Sequence, residues 1–178
     1  FYDRYYQDRH NEICSILLDD NHRVWLATYH KGIMRSDMPY VQGKKLSFSK
    51  VDTGSGKSEE TMLCALEDAD GNLWFGNIDG TLTVCHIRTG RFVVHSLLVD
   101  GVANRASVWA LYMDNKNRLY VGTGDGLLLY NHQESTCVKL SAERYLNEKR
   151  QHFIRAIVQT KDGTIWLGAS NMGVWRLV

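Results

Sequence analysis

The stretch LEDADGNLWFGNIDGTLTV at residues 66–84 decides the fold, because it is not unique in the chain. Its pattern returns as LLDDNHRVWLATYHKGIMR at 17–35, YMDNKNRLYVGTGDGLLLY at 112–130 and VQTKDGTIWLGASNMGVWR at 158–176. The four copies align on an aromatic residue, Trp25, Trp74, Tyr120 and Trp166, at spacings of 49, 46 and 46 residues. Six residues earlier stand Asp19, Asp68, Asp114 and Thr160, and two residues later Ala27, Gly76, Gly122 and Gly168. Six or seven residues after each aromatic comes another glycine, Gly32, Gly80, Gly126 and Gly173. A fixed period of this kind dictates architecture before any single element is assigned.

Each position has a physical reading. Asp70-Gly71-Asn72 and Asp162-Gly163 are hairpin-turn sequences, in which a positive φ is tolerated and the Asp side chain is expected to bond nearby amides. Upstream of each turn lies a short apolar run: ICSILL at 13–18, MLCAL at 62–66, VWALYM at 108–113 and FIRAIV at 153–158. These runs are apolar on both faces, the pattern of a strand buried on both sides. Downstream come a third strand and, after a turn such as Arg88-Thr89-Gly90-Arg91, a fourth, as in FVVHS at 92–96. Four antiparallel strands per period of 40–50 residues is the signature of a β-propeller blade. The expected fold is therefore all-β, a β-propeller of four four-stranded antiparallel blades at about 11–51, 60–97, 106–141 and 152–178. Within this single domain, 1–178, residues 1–6 read as a strand without a blade and 173–178 as a blade end without its last strand. Pairing Phe1–Tyr6 beside Gly173–Val178 would close the fourth blade and hide its edge; the alternative is a section of a larger propeller. The stretch ERYLNEKRQHF at 143–153 reads as a loop decoration with at least a helical turn.

Composition narrows the function. Lys plus Arg number 21 against 20 Asp plus Glu, a net charge of +1, so no nucleic-acid partner is expected. No run of roughly 20 apolar residues appears, and no membrane contact by this segment is expected. The first residue is Phe rather than Met, which reads as a piece of a larger protein. Cys14, Cys64, Cys85 and Cys137 are scattered without a Cys-x-x-Cys pair and read as buried thiols. The seven histidines, at 10, 22, 30, 86, 95, 132 and 152, show no metal-ligand spacing, so neither a metal nor a cofactor is expected.

At E-D-A-D-G-N-L-W-F-G (67–76) and K-D-G-T-I-W-L-G (161–168) the chain resembles the two-component regulator propeller repeat. The join V-D-G-V-A-N-R-A-S-V-W-A-L (99–111) is similar to that family's link between blades. The first copy departs from the pattern with His22 and Ala27 at glycine positions, and the third with Asn117 and Tyr120. The resemblance implies a periplasmic sensor region of a hybrid two-component histidine kinase of the Bacteroides type, often recognising oligosaccharides, with the kinase elsewhere on the parent chain. It implies no catalytic residue in this segment, and as partners an oligosaccharide, a second copy or a neighbouring propeller.

In propellers, ligands gather where the turns between the second and third strands of each blade meet, because loops vary while strands hold the scaffold. Here those turns supply Tyr29, His30, Asn77, Asp79, Thr123, Asp125, Ser170 and Asn171, a mixture of amides, hydroxyls and carboxylates suited to a polyol. The four periodic aromatics read as core rather than as a sugar platform. Trp109 and Arg155, a large aromatic and a charge at equivalent places on two innermost strands, stand out as irregular; the plainer reading of them is packing and a buried ion pair.

Other motifs dissolve on inspection. Asp52-Thr53-Gly54-Ser55 is half an aspartic-protease dyad but lies in an inter-blade loop. Gly54-Ser55-Gly56-Lys57-Ser58 lacks the first glycine of a phosphate loop, Val51 standing there, and the following helix. Asp68-Ala69-Asp70-Gly71-Asn72 has Asp79 at the twelfth place of a calcium loop, beyond a strand. Two functions compete with the sensor reading: an interaction scaffold with no small ligand, and a metal-dependent lyase similar to the streptogramin lyases, whose histidine cluster has no match here. If 1–6 closes the fourth blade, deleting it exposes a strand edge, and sedimentation should show dimers or aggregates. A truncated chain that stays monomeric with unchanged melting counts against closure.

Overall fold

The computed structural model describes residues 12–56, 60–131, 134–140, 153–170 and 173–177, and every regular element among them is a strand. The first sheet runs in the order β1 (Ile13–Leu18), β2 (Val24–Thr28), β3 (Gly32–Ser36), β4 (Phe48–Lys50), each pair antiparallel. The second sheet is β5 (Met62–Glu67), β6 (Leu73–Asn77), β7 (Thr81–His86), β8 (Arg91–Ser96). The link after it forms two short strands, β9 (Leu98–Val99) and β10 (Val102–Ala103). The third sheet adds both to β11 (Val108–Met113), β12 (Leu119–Thr123), β13 (Gly126–Asn131) and β14 (Thr136–Leu140), in the order β10-β9-β14-β13-β12-β11. The fourth contains β15 (Ile154–Gln159), β16 (Ile165–Ala169) and β17 (Gly173–Leu177). The fold is the all-β propeller kind, with consecutive strands laid side by side in each blade. The third blade departs from four strands because β9 pairs in parallel with β14, at Leu98↔Thr136 and Val99↔Cys137. The expected strand at 1–6 and the decoration at 143–152 lie outside the described residues.

The chain divides into two compact units, Phe1–Phe75 with Val84–Val93, and Gly76–Thr83 with Val94–Val178. In the first, Trp25, Ala27, Ile33, Met62, Leu73, Phe75 and Cys85 form one buried cluster, with the Trp25 and Phe75 rings 6.4 Å apart. In the second, Tyr120, Leu127, Ile154, Ile165 and Leu167 do the same. Fully burying each such side chain contributes roughly 1.5–3 kcal/mol.

The first turn of each period is built around one carboxylate. Asp19 accepts the amides of Asn21 (2.9 Å) and Arg23 (2.8 Å) and the indole N–H of Trp25 (2.8 Å). Asp68 repeats this with Asp70 (3.0 Å), Asn72 (2.8 Å) and the Trp74 indole (2.8 Å). Asp114 accepts the amides of Lys116 (2.9 Å) and Arg118 (2.8 Å), and takes the Arg118 Nε at 2.6 Å where the first two copies have an indole. The carboxylate that organises the turn is thus the one six residues before the aromatic, not Asp70, which only donates its amide. The fourth copy, with Thr160 in that place, lets Asp162 accept the Thr164 amide at 3.1 Å. The turns that depart from glycine keep its conformation: His22 (φ 59°) and Asn117 (φ 60°) take the left-handed shape of Gly71 (78°) and Gly163 (89°).

Two sequence expectations change. Trp25, Trp74 and Tyr120 are buried, but Trp166 remains 36% exposed, and its copy has no carboxylate in the place that receives the indole. The innermost strands are not uniformly covered either: Met62, Leu63 and Cys64 of β5 are buried, whereas Ile13, Ile16 and Leu18 of β1 are half-exposed or more. A strand face is dry only where another sheet packs on it, and the apolar run alone does not supply that neighbour.

The glycine two residues after the aromatic is a packing requirement. A Cβ on Gly122 would stand 2.8 Å from the Ile154 carbonyl oxygen and 2.9 Å from its side chain, so β12 lies against β15 with no room for a methyl group. Gly122→Ala should therefore destabilise the chain by about 1–3 kcal/mol in urea unfolding, although alanine stands at the corresponding position 27. The turn carboxylates set the acid limit. Burial pushes the Asp68 carboxyl up, but hydrogen bonds from Trp74, Asn72 and Asp70 outweigh this and hold it below its ordinary value. Asp114 is lowered too, burial again opposed by its bonds from Arg118 and Lys116. Their contribution is complete above about pH 4 and is lost as pH falls through the lowered folded-state values. Unfolding midpoints should drop below that pH, and Asp68→Asn should flatten part of the drop.

Candidate functional site

The ends of the second strands and the starts of the innermost strands meet at one end of each blade. In the second unit, Val108 pairs with Thr123 and Ile154 with Ala169, while the Gly124 amide bonds the Ser107 carbonyl and the Ser170 amide the Phe153 carbonyl, both at 2.9 Å. The expected ligand residues of this unit therefore share an end with Trp109 and Arg155.

Their side chains divide into buried turn-builders and exposed carboxylates. Thr123, 1% exposed, donates its hydroxyl to the Gly126 carbonyl (2.9 Å) and accepts the Asp125 amide (3.1 Å). Asn77 is buried and gives its amide to the Thr81 (2.7 Å) and Thr83 (3.0 Å) hydroxyls, leaving Oδ1 buried without a partner. These two hold the turn shut. Asp79 and Asp125 are exposed: Asp79 takes the Thr81 hydroxyl at 2.7 Å and Asp125 pairs with Lys139 at 2.9 Å. Ser170 is half-buried, and Asn171 lies outside the described residues. In the first unit, Tyr29 and His30 sit edge to face with centroids 4.5 Å apart, and the His30 amide (φ 75°) donates to the Thr61 hydroxyl at 3.2 Å.

A cleft of about 470 Å³ opens in the second unit between the link and the third blade's turn, with Asn104, Arg105, Thr123, Asp125 and Lys139 as its polar lining. Two of these were expected; Asn104, Arg105 and Lys139 were not. Asn104 is fixed by bonds from its side-chain amide to the carbonyls of Gly80 (3.2 Å) and Ala106 (2.9 Å), while the exposed Arg105 projects from the same link. The signal was present in the Ala-Asn-Arg-Ala link, which reads as a connector until β9 folds it back on β14.

Trp109 and Arg155 differ from expectation. Arg155 is exposed and stacks its guanidinium 3.7 Å from the Trp109 ring centroid, and no carboxylate among the described residues pairs with it. The strands explain why: register shifts between Val108 and Ala110 and between Ile154 and Ala156 place both residues at bulges, where strict alternation of faces lapses. Phe153, whose ring meets Trp109 at 6.4 Å and 67°, completes the group and was not foreseen as a site residue.

The description "Two component regulator propeller" matches residues 56–79, 101–125 and 149–171. Those three stretches are similar to two-component regulator propeller repeats. In structure, the chain is similar to the extracellular domains of two hybrid two-component systems from B. thetaiotaomicron. One is 16% identical with a TM-score of 0.74, over 97% of this chain and 24% of that one. The other is 22% identical with a TM-score of 0.68, over 95% and 21%. The repeats here thus span under a quarter of the length of either domain. Virginiamycin B lyase from Staphylococcus aureus shares the fold at 11% identity and a TM-score of 0.65, over 94% of this chain and 55% of that one. No match was found among curated proteins.

Among the described residues, no three His, Cys, Asp or Glu gather as metal ligands, and no helix is long and apolar enough to cross a membrane. Cys64, Cys85 and Cys137 are buried and Cys14 half-buried, all four as free thiols. Burial pushes Cys85 and Cys137 up to about 11, so both stay protonated at neutral pH. An aromatic disulfide reagent at pH 8 should label these two slowly in the folded chain and rapidly in denaturant; rapid labelling in the folded state would contradict their burial.

Proposed function

We propose that this chain is a ligand-binding sensor module, part of the extracytoplasmic region of a hybrid two-component histidine kinase, and that its ligand is an oligosaccharide. The observation that carries the reading is the cleft beside the third blade's turn. It brings a carboxylate and two cations next to the apolar Val99, Val102 and Leu128, a mixture that suits a sugar's polar rim and C–H faces. The repeats support it by family, and the extracellular placing of the two Bacteroides domains supports a periplasmic location. In this reading, the segment performs no chemistry; ligand binding biases a rearrangement that a kinase elsewhere on the parent chain reads.

Calorimetry with a panel of oligosaccharides tests it. A binding sugar should lose at least tenfold in affinity, about 1.4 kcal/mol, when Arg105 and Asp125 of the cleft are both replaced by alanine. Unchanged affinity would move the site elsewhere. An absence of binding across the panel would favour a protein-interaction scaffold, and turnover lost on adding a chelator would favour the lyase.

A further inference from the structure

We infer that Arg155, held on Trp109 and flanked by Phe153, is an anion-reading position, and that the oligosaccharide it receives carries a carboxylate, as a hexuronic acid does. This rests on the oligosaccharide reading above and specifies its ligand class.

Three observations converge. First, the cation is exposed and without a counter-ion: Arg155 makes no hydrogen bond or ion pair with a described residue, and its contacts are the Trp109 ring at 3.7 Å and the Phe153 ring at 5.8 Å. An arginine whose face is covered by an aromatic ring keeps its in-plane N–H groups available, and that edge matches a carboxylate bidentately. Second, the indole N–H of Trp109 is buried without an acceptor, one of only two such side-chain atoms among the described residues. A buried donor left unmatched costs stability and marks a place where an acceptor is wanted. Third, the group is rigid where a ligand would meet it. Phe153 is held through its carbonyl by the Ser170 amide at 2.9 Å, and its ring lies against Gly124, where an added Cβ would approach it to 3.2 Å. Donors without acceptors, fixed on β11 and β15 at the end that carries Thr123, Asp125 and Ser170, call for a ligand that brings negative charge. The aromatic edges beside them suit the C–H face of a sugar ring.

The discriminating experiment is calorimetry of the whole chain with trigalacturonate and with its methyl ester, which keeps the sugar and removes the charge. The wild type should bind the acid at least tenfold more tightly than the ester, with the preference falling as sodium chloride rises from 50 to 500 mM. Arg155→Gln should abolish the preference, and Arg155→Lys should retain only part of it because an ammonium cannot bond bidentately. Thermal melting would check that these exposed substitutions leave the fold intact. Trp109→Phe, which keeps a ring and deletes the buried donor, should weaken the acid more than the ester. Equal binding of acid and ester, or an unchanged preference in Arg155→Gln, would overturn the inference and leave the oligosaccharide reading standing. If neither probe binds but a neutral oligosaccharide does, the inference alone falls; if no saccharide binds at all, both fall.

Discussion

Much of this structure depends on a carboxylate that bonds a turn and a core aromatic at once. In the first two copies, a single Asp closes the hairpin through two amides and then fixes the indole that opens the next strand. One side chain thereby couples turn geometry to core packing. The aromatic cannot turn out of the core without breaking its bond to the carboxylate that shapes the turn. The third copy keeps the carboxylate and exchanges the indole for a guanidinium, and the fourth keeps the turn but loses the coupling. Trp166 is correspondingly the most exposed of the four aromatics.

The same geometry explains what was legible in the sequence. The period, the strand order within a blade and the left-handed turn positions follow from residues adjacent in the chain, so His22 and Asn117 could be recognised as departures in type but not in shape. What the sequence did not display was contact made across the repeat. The parallel pairing of β9 with β14 joins residues nearly 40 apart, with no alternation pattern long enough to announce it. Gly122 is required by Ile154 of the following blade, again a neighbour in space and not in the turn.

For the candidate site the division is similar. Turn residues were placed correctly at the end of their strands, yet two of them spend their polar groups on the turn itself. Asn77 and Thr123 belong to types that suit a ligand because such types also suit a backbone. Exposure separates the two uses, which is why Asp79 and Asp125 remain candidates. Arg155 and Trp109 were noticed as irregular, but a bulge at each position, and not burial, is what brings them together.

The link between the second and third blades is anchored more heavily than its length suggests. The Asn104 amide bonds the Leu97 carbonyl at 2.7 Å, the Ser107 hydroxyl bonds the Ile78 carbonyl at 2.8 Å, and β9 is registered on β14. Gly80, with φ 87°, lies so close to Asn104 and Arg105 that a Cβ would come within 2.9 Å of the link's backbone. Such a segment has a fixed count of residues: one insertion would turn every β9 side chain to the opposite face and pull Asn104 from its partners. The exposed loop at 37–47 is pinned near its ends, by the Asp37 amide on the Ser47 carbonyl (3.0 Å) and the Tyr40 amide on the His22 carbonyl (2.6 Å), while its middle bonds within itself, Lys44 amide to Val41 carbonyl at 3.0 Å. An added residue is then accommodated in the middle of that loop, at the rim of the first blade, while the wall of the cleft admits change only by substitution, one residue at a time.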